Sequence, residues 1–346
     1  MVEGGATENP VREAEGPERG RSATSHDVAR RAGVSQSTVS LVFRGAARGR
    51  VSAATQEAVH AAARELGFRP NINARRLRQG APPTVLIGVP EITQPFFAQV
   101  FTGARGAALA AGCRVVLSMH PDLDSVAEDV VGQGVDAVLA CALGDGGQPP
   151  DAAVPLVVLD AEPPPGFPSV RFDVPPLLTE LATELHTLGH RTIAHLAADV
   201  PTESFRERAE TWRAVCARLG IRLLSRTAPI ERSGARDAAL SLLEGTPRPT
   251  AVVCDDDQMA AGVYKAAYAT GLRVPEDISV AGIDDVDLAS ALTPELTTIA
   301  LPAEALGEQG MRRLIAVLDG SRPLAPDVLR LSGRLVRRGS VGSAPR

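Results

Sequence analysis

The chain has 346 residues, 44% hydrophobic and 22% charged, with a formal net charge of −5; that is an ordinary globular balance, too long for one small domain and suited to two or three. The polar, acidic N-terminus lacks an apolar leader core, and no run of about 18 apolar residues follows, which argues against secretion and membrane spanning. Four cysteines (Cys113, Cys141, Cys216, Cys254) are scattered without a CxxC pair and read as reduced packing thiols of a cytoplasmic protein.

Charge is unevenly placed. Residues 1–20 hold five glutamates against two arginines, and residues 21–80 hold 11 arginines against Asp27, Glu57 and Glu65. The second stretch is therefore +8, and the residues beyond it carry −10. A basic head on an acidic body is the footprint of a polyanion-binding module joined to something else.

In chain order, residues 1–22 are rich in Gly, Pro and Glu and are expected to be a disordered tail. Residues 23–70 follow as a small all-α domain. Thr24 to Asp27 has the form of a capping box for a first helix through Arg31, stopped at Gly33. Ser35 caps a second helix of about eight residues, and Ser52 caps a third that Gly67 ends, with Val59, Ala63 and Leu66 on one face. Residues 71–83 form a basic segment running into a Pro/Gly linker. From Thr84, apolar runs (TVLIGVP, CRVVLS, VDAVLAC, VPLVVLD, RTIAHLA, TAVVCD, ISVAGID) alternate with helical patterns, which predicts parallel sheets covered by helices. Residues 84–336 suffice for two α/β lobes, with crossings expected near 171–175 and 299–302. Residues 337–346 read as a flexible tail without leucine heptads, so a coiled-coil tetramer is not expected.

The stretch AGVSQSTVSLVFRG (32–45) carries the first functional signal. Two short helices about a tight turn match a helix-turn-helix, whose second helix enters the major groove with its first residues at base edges. Contact there needs short side chains that both donate and accept hydrogen bonds. Gln36, Ser37 and Leu41 are expected to face bases, and Thr38 and Ser40 to reach phosphates, with Thr24 and Ser35 at the helix starts. Val39 and Val42 pack inward on Val28 and Ala29. The competing reading is a capped helical bundle without DNA; the local +8 weighs against it.

TSHDVARRAGVSQSTVSLVFRG followed by VSAATQEAVHAAARELGFRPNINARRLR resembles the DNA-binding head of the lactose-repressor/galactose-repressor family. The resemblance continues through IGVPEITQPFFAQVFTGA, LGHRTIAHLA, DDDQMAAGVYKAAYATGLRVPEDISVAGIDD and LTTIALPAEALG, from about Thr24 to Val336. It implies a homodimer on double-stranded operator DNA, associated with the nucleoid, with a two-lobed body like the type I periplasmic binding proteins. It also implies that Asn71–Arg78 is a hinge, helical on the operator, entering the minor groove with Leu77 wedged between base pairs, Asn71 and Ala74 among the DNA contacts, and Arg75, Arg76 and Arg78 on phosphates. Two features depart from the common head. Leu41 stands where a polar or basic residue is frequent, and the long loop 44–50 adds Arg44, Arg48 and Arg50 as contacts.

A polyol pocket needs carboxylates and a guanidinium for hydroxyls and a ring face for C–H groups. Asp160, Asp173, Asp256 and Asp284 stand at strand ends, Arg208 matches the pocket arginine that the resemblance implies, and Phe96 or Phe97 offers the ring. Asp257 and Asp285 read instead as helix caps, His190 as a turn holder, and Gly103–Gly106 as a helix-packing site. Leu301, Asp256 and Thr211 depart from the sugar-responsive pattern, and the segment from Met119 to Val135 is short, suggesting a clipped helix. These departures leave a nucleoside, a phosphorylated metabolite, a partner protein or no ligand as alternatives to a sugar. A plain binding protein with a decayed head is a third reading. No HExxH, GxSxG, P-loop or CxxC motif supports an enzyme, and neither a metal nor a cofactor is expected.

Overall fold

In the computed structural model, residues 24–43, 47, 50–66, 82–133, 135–144, 154–321 and 325–345 are described. They divide into two compact units, residues 1–71 and 72–346.

The first unit holds α1 (Ser25–Ala32), α2 (Gln36–Val42) and α3 (Ala53–Glu65). Thr24 and Asp27 close a reciprocal capping box, and Gly33 ends α1 at φ 68°, a left-handed conformation that glycine adopts without a Cβ penalty. Ser35 and Ser52 each accept the N–H three residues on, at 3.1 Å. The turn at Gly33 brings Val39 and Val42 of α2 against Val28, Ala29, Val59, Ala62 and Ala63, and these buried side chains form the unit's core. The Arg31–Glu65 pair ties α1 to α3 at the surface, where such pairs contribute little.

The second unit is two six-stranded sheets. Sheet 1 comprises β1 (Thr84–Val89), β2 (Arg114–Met119), β3 (Ala137–Cys141), β4 (Leu156–Leu159), β5 (Ser169–Phe172) and β11 (Val328–Leu331), all parallel, in the order β11-β5-β4-β3-β1-β2. Sheet 2 comprises β6 (Thr192–Ala198), β7 (Arg222–Ala228), β8 (Ala251–Cys254), β9 (Ser279–Asp284), β10 (Thr297–Ala300) and β12 (Arg334–Val336), in the order β12-β10-β9-β8-β6-β7, parallel except for β12. Strands β3, β4 and β8 are buried at every position, as parallel strands covered on both faces must be. The covering helices are α4 (Pro95–Ala110), α5 (Leu123–Gln133), α6 (Pro175–Thr187), α7 (Glu203–Leu219), α8 (Arg232–Leu243), α9 (Asp257–Ala269), α10 (Asp287–Ala291) and α11 (Ala303–Leu318). Helix α5 keeps 11 residues within the short Met119–Val135 segment.

The chain passes between the sheets three times: after β5, after β10, and between β11 and β12. The Asp173 N–H donates to the Leu331 carbonyl, 3.0 Å, joining the first and third passages. A Cβ at Gly333 would come 2.5 Å from the Ala300 carbonyl oxygen, so the second and third passages meet backbone to backbone. Helix α11 returns to the first lobe and packs on α4. A Cβ at Gly103 would overlap the Glu304 carbonyl, and one at Gly307 would overlap that of Val100, so two bare backbones set this helix pair close together.

Residues 337–345 are not the flexible tail that their Gly/Ser content suggests. Ser340 is fully buried; its hydroxyl donates to the Val280 carbonyl (2.6 Å) and accepts the Thr297 N–H (2.8 Å). His190 Nε2 donates to the Gly342 carbonyl, 3.0 Å, and Nδ1 lies 2.9 Å from Thr250 Oγ1. Backbone groups of sheet 2 thus find their partners in this segment.

Candidate functional site

Two assemblies have functional geometry. In the first unit, α2 buries Val39 and Val42 and leaves Ser37, Ser40 and Leu41 at least partly accessible. The Ser35 hydroxyl lies 2.8 Å from those of Ser37 and Thr38, and Gln36 Nε2 reaches Ser25 Oγ at 3.3 Å. Exposed Thr24 and Ser35 stand at the starts of α1 and α2, and Arg50 is exposed in the loop before α3. The structure therefore gathers Thr24, Ser35, Gln36, Ser37 and Thr38 around two adjacent helix N-termini, where N–H groups and the helix dipole favour an anion such as phosphate. The Thr24 hydroxyl and N–H hold the Asp27 carboxyl below its ordinary range, with Arg30 adding to them. Arg44, Arg48, Asn71, Ala74, Arg75, Leu77 and Arg78 lie outside the described residues.

The second assembly lies where the two lobes meet. Asp160 follows β4 and Asp284 ends β9, with φ of 48° and 110°; Asp285 follows at 59°. These are three of the four non-glycine residues with positive φ among the described residues. Strained backbone of this kind, held by its surroundings, re-aims side chains at a site. Arg208, on α7, is buried; its Nη1 donates to the Asp255 carbonyl, 2.8 Å, and its guanidinium carbon lies 4.8 Å from the Phe205 ring centre. The Arg208 Nε N–H has no hydrogen-bond partner among the described residues, a costly state for a buried charged donor. Ser204, one turn earlier on α7, reaches across to Asp160 at 3.5 Å. Arg171 of β5 pairs with Glu162 at 2.7 Å and lies 3.8 Å from Glu207 of α7. Lobe 1 thus supplies Asp160 and Arg171, and lobe 2 supplies Ser204, Glu207, Arg208, Asp256 and Asp284.

The carboxyls answer to their burial. Burial pushes Asp160 up to about 6, against the pull of Arg208 and Arg171. Asp284 is raised well above the carboxylate range by burial and then by the neighbouring Asp256 charge, with Arg208 opposing. Asp256 is raised by burial, while the Gln258 N–H and a hydrogen bond from Asp284 hold it down. Burial and the Asp256 charge thus favour the protonated form of Asp284, while the first N–H groups of α9 favour the ionised form of Asp256.

The acids divide differently from the sequence expectation. Asp256, not Asp257, caps α9, accepting the Gln258 and Met259 N–H groups at 2.5 and 3.4 Å. The reason is backbone geometry: Asp256 has the extended cap conformation (φ −154°), whereas Asp257 is already helical and turned inward. Its carboxyl accepts the Thr298 hydroxyl (2.6 Å) and the Val286 N–H (3.0 Å), and burial raises it to about 7. Asp285 does not cap the helix that follows it, whose N-cap is Val286; it pairs with Arg338 at 2.7 Å. His190 holds the C-terminal segment, and Gly103 does serve helix packing.

Asp173 is joined through its backbone to Leu331 on the crossing strands. Phe96 and Phe97 are buried at the start of α4, edge-on to one another at 5.3 Å, with Phe96 also edge-on to Phe172 at 6.2 Å. Leu301 is buried in the core shared by both lobes. Sequence reasoning missed Ser204 and Phe205, although i−4 and i−3 spacing from Arg208 puts them on its face of the helix. It also missed the Asp255–His195 pair, buried at 3.0 Å between β8 and β6. Burial works against the Asp255 carboxylate, but His195, Arg208 and the Ala198 N–H outweigh it and hold it below its ordinary range. Among the described residues no cluster of three metal-ligating side chains occurs, and no helix is long and apolar enough to cross a membrane.

Residues 24–71 match the family model described as bacterial regulatory proteins, lacI family, and residues 182–341 match a periplasmic binding protein-like domain. The ribose operon repressor of Escherichia coli (strain K12) is 35% identical over 334 residues, covering 92% of this chain and all of that protein. Among solved structures, the lac repressor dimer bound to operator and the anti-inducer ONPF is 28% identical with a TM-score of 0.70, covering 93% of this chain and all of that one. The transcriptional regulator CelR–cellobiose complex is 29% identical with a TM-score of 0.69, covering 92% and 99%. With a helix-turn-helix head and a two-sheet body of that architecture, the chain belongs to the lacI family of bacterial regulatory proteins.

Proposed function

We propose that this chain is a ligand-responsive transcriptional repressor that binds a near-palindromic operator as a homodimer and takes a small polyol in the inter-lobe cleft. The observation that carries the cleft reading is the buried Arg208 with an unpartnered Nε N–H, set among Asp160, Asp256 and Asp284 from both lobes. A hydroxyl both accepts and donates, so a vicinal diol completes the guanidinium and the carboxyls together. Phe96 and Phe97 would supply the apolar wall and Asp173 the crossing-strand edge. Relatives named for ribose and solved with cellobiose support the polyol class. No enzymatic step is assigned to these acids.

In the head, Gln36, Ser37 and Leu41 are assigned to base edges and Thr24, Ser35, Thr38, Ser40 and Arg50 to the backbone; the leucine favours a thymine methyl. Arg44, Arg48 and the hinge group Asn71, Ala74, Arg75, Leu77 and Arg78, outside the described residues, are assigned to the loop contacts and the minor groove on family likeness. The setting that follows is the cytoplasm, at the nucleoid. Because the chain passes between the lobes three times within a few ångströms, a ligand gripping both lobes changes their angle. Its effect on DNA equals its preference for one angle over the other.

The test is operator anisotropy with a polyol panel. One panel member is expected to shift operator affinity, and Arg208→Met is expected to abolish that shift while DNA binding persists. A shift that survives Arg208→Met would remove the cleft from the account.

A further inference from the structure

We infer that the polyol taken by the cleft carries a protonated amine, with Asp256 and Asp284 as the pair that receives the nitrogen. The inference rests on the cleft being the effector site, as proposed above, and it concerns the charge of the effector.

Asp256 and Asp284 stand at the ends of adjacent strands β8 and β9, and their carboxyls are hydrogen-bonded to one another. One oxygen of Asp256 is committed to the first N–H groups of α9, where the helix dipole favours negative charge. Asp256 is therefore the ionised member and Asp284 the donor. The other acids nearby are satisfied within the protein: Asp255 by His195 and the Ala198 N–H, and Asp257 by Thr298 and the Val286 N–H. Glu207 faces Arg171, which Glu162 also holds. That leaves Arg208 as the cation acting on Asp160, Asp256 and Asp284 together. Counted with Glu207, these carboxyls outnumber Arg208 and Arg171, so the cleft is short of positive charge, and a proton on Asp284 makes good part of the deficit.

A ligand ammonium removes the need for that proton. It brings a full charge and three N–H donors to groups that, once ionised, only accept. On binding, the ammonium occupies the pair, Asp284 ionises, and its proton leaves to solvent, so the charge of the site is unchanged. A neutral hydroxyl offers one donor and leaves the pair still holding its proton. A phosphate or carboxylate would meet more acids than arginines. The unpartnered Arg208 Nε asks for an acceptor, which a hydroxyl of the same ligand supplies.

The experiment is calorimetry on the full chain at about pH 6, where these amines are already protonated in solution, with D-glucosamine, D-galactosamine and D-mannosamine, each beside its parent hexose. The inference expects one amine to bind at least about tenfold tighter than its parent, a difference of ~1.4 kcal/mol. It expects about one proton released per site, read from the heat in buffers of different ionisation enthalpy. Asp256→Asn, whose amide oxygen can still cap α9, is expected to erase the amine preference. Parent sugars binding as tightly as the amines, or amine binding without proton release, would overturn the inference and leave the polyol site standing. Binding of no member of any pair would overturn both.

Discussion

Replacing Asp160 with asparagine separates a cost to stability from a benefit to binding. Asp160 is buried, its hydrogen-bond partner is Ser204 at a long 3.5 Å, and burial raises its pKa from 3.8 to about 6. Such an acid binds its proton more tightly in the folded state than in the unfolded one. Its favourable contribution is complete below pH 3.8, fades as pH climbs toward 6, and is absent above that. The difference in pKa corresponds to ~3 kcal/mol of stability withheld at pH 7.5. Asparagine is neutral, nearly isosteric, and tolerant of the φ of 48° at this position. Urea unfolding without ligand is expected to find Asp160→Asn more stable than the parent by about 2–3 kcal/mol at pH 7.5. The advantage should shrink by ~1 kcal/mol between pH 6.5 and 5. A variant no more stable at pH 7.5, or a difference that does not change with pH, would refute the placement of this carboxylate as a buried, weakly satisfied charge.

Further outcomes follow from the same structure. Gly307→Ala pushes a methyl into the Val100 carbonyl and is expected to cost about 1–3 kcal/mol in urea unfolding with an unchanged m-value. Ser340→Ala strands the Thr297 N–H and the Val280 carbonyl; a loss of about 2 kcal/mol is expected, seen as a lower melting temperature of the body. Gly33→Ala places a Cβ at φ 68° and should cost the head ~1 kcal/mol; amide exchange in α1 and α2 should rise while β8 and β9 stay protected. Arg50→Ala should reduce the slope of log affinity for DNA against log salt by about 1 without altering which sequences are bound.

What the sequence disclosed depended on burial. Of the seven apolar runs read as strands, β1, β3, β4, β6, β8 and β9 are buried nearly throughout, so their composition is nearly unbroken, whereas β2, at the edge of sheet 1 with no buried position, was legible from its Val-Val-Leu run. Strands β7 (RLLSRTA), β11 (VLRL) and β12 (RLV) lie at sheet edges or are very short, and their polar residues hid them. The third passage between lobes was invisible for a related reason: two residues, Ser332 and Gly333, carry it. In the head, caps and a left-handed glycine are local chemistry, and local chemistry is legible. The C-terminal residues misled because Gly and Ser suggest a loose tail, whereas Ser340 and Gly342 are partners for polar groups contributed from positions 43 to 152 residues earlier. The cleft was legible as acids at strand ends with an arginine. Which acid caps α9 and which turns inward depended on the φ of two successive residues, a matter of tertiary geometry.

The central claim is that this chain reads DNA as a symmetric dimer, and selection from random duplexes with the full-length protein at near-physiological salt tests it most directly. The account predicts enrichment of a near-palindrome, two half-sites flanking a flexible central step such as CG or TA. Absence of enrichment both with the full chain and with residues 1–80 fused to a neutral dimeriser would contradict it.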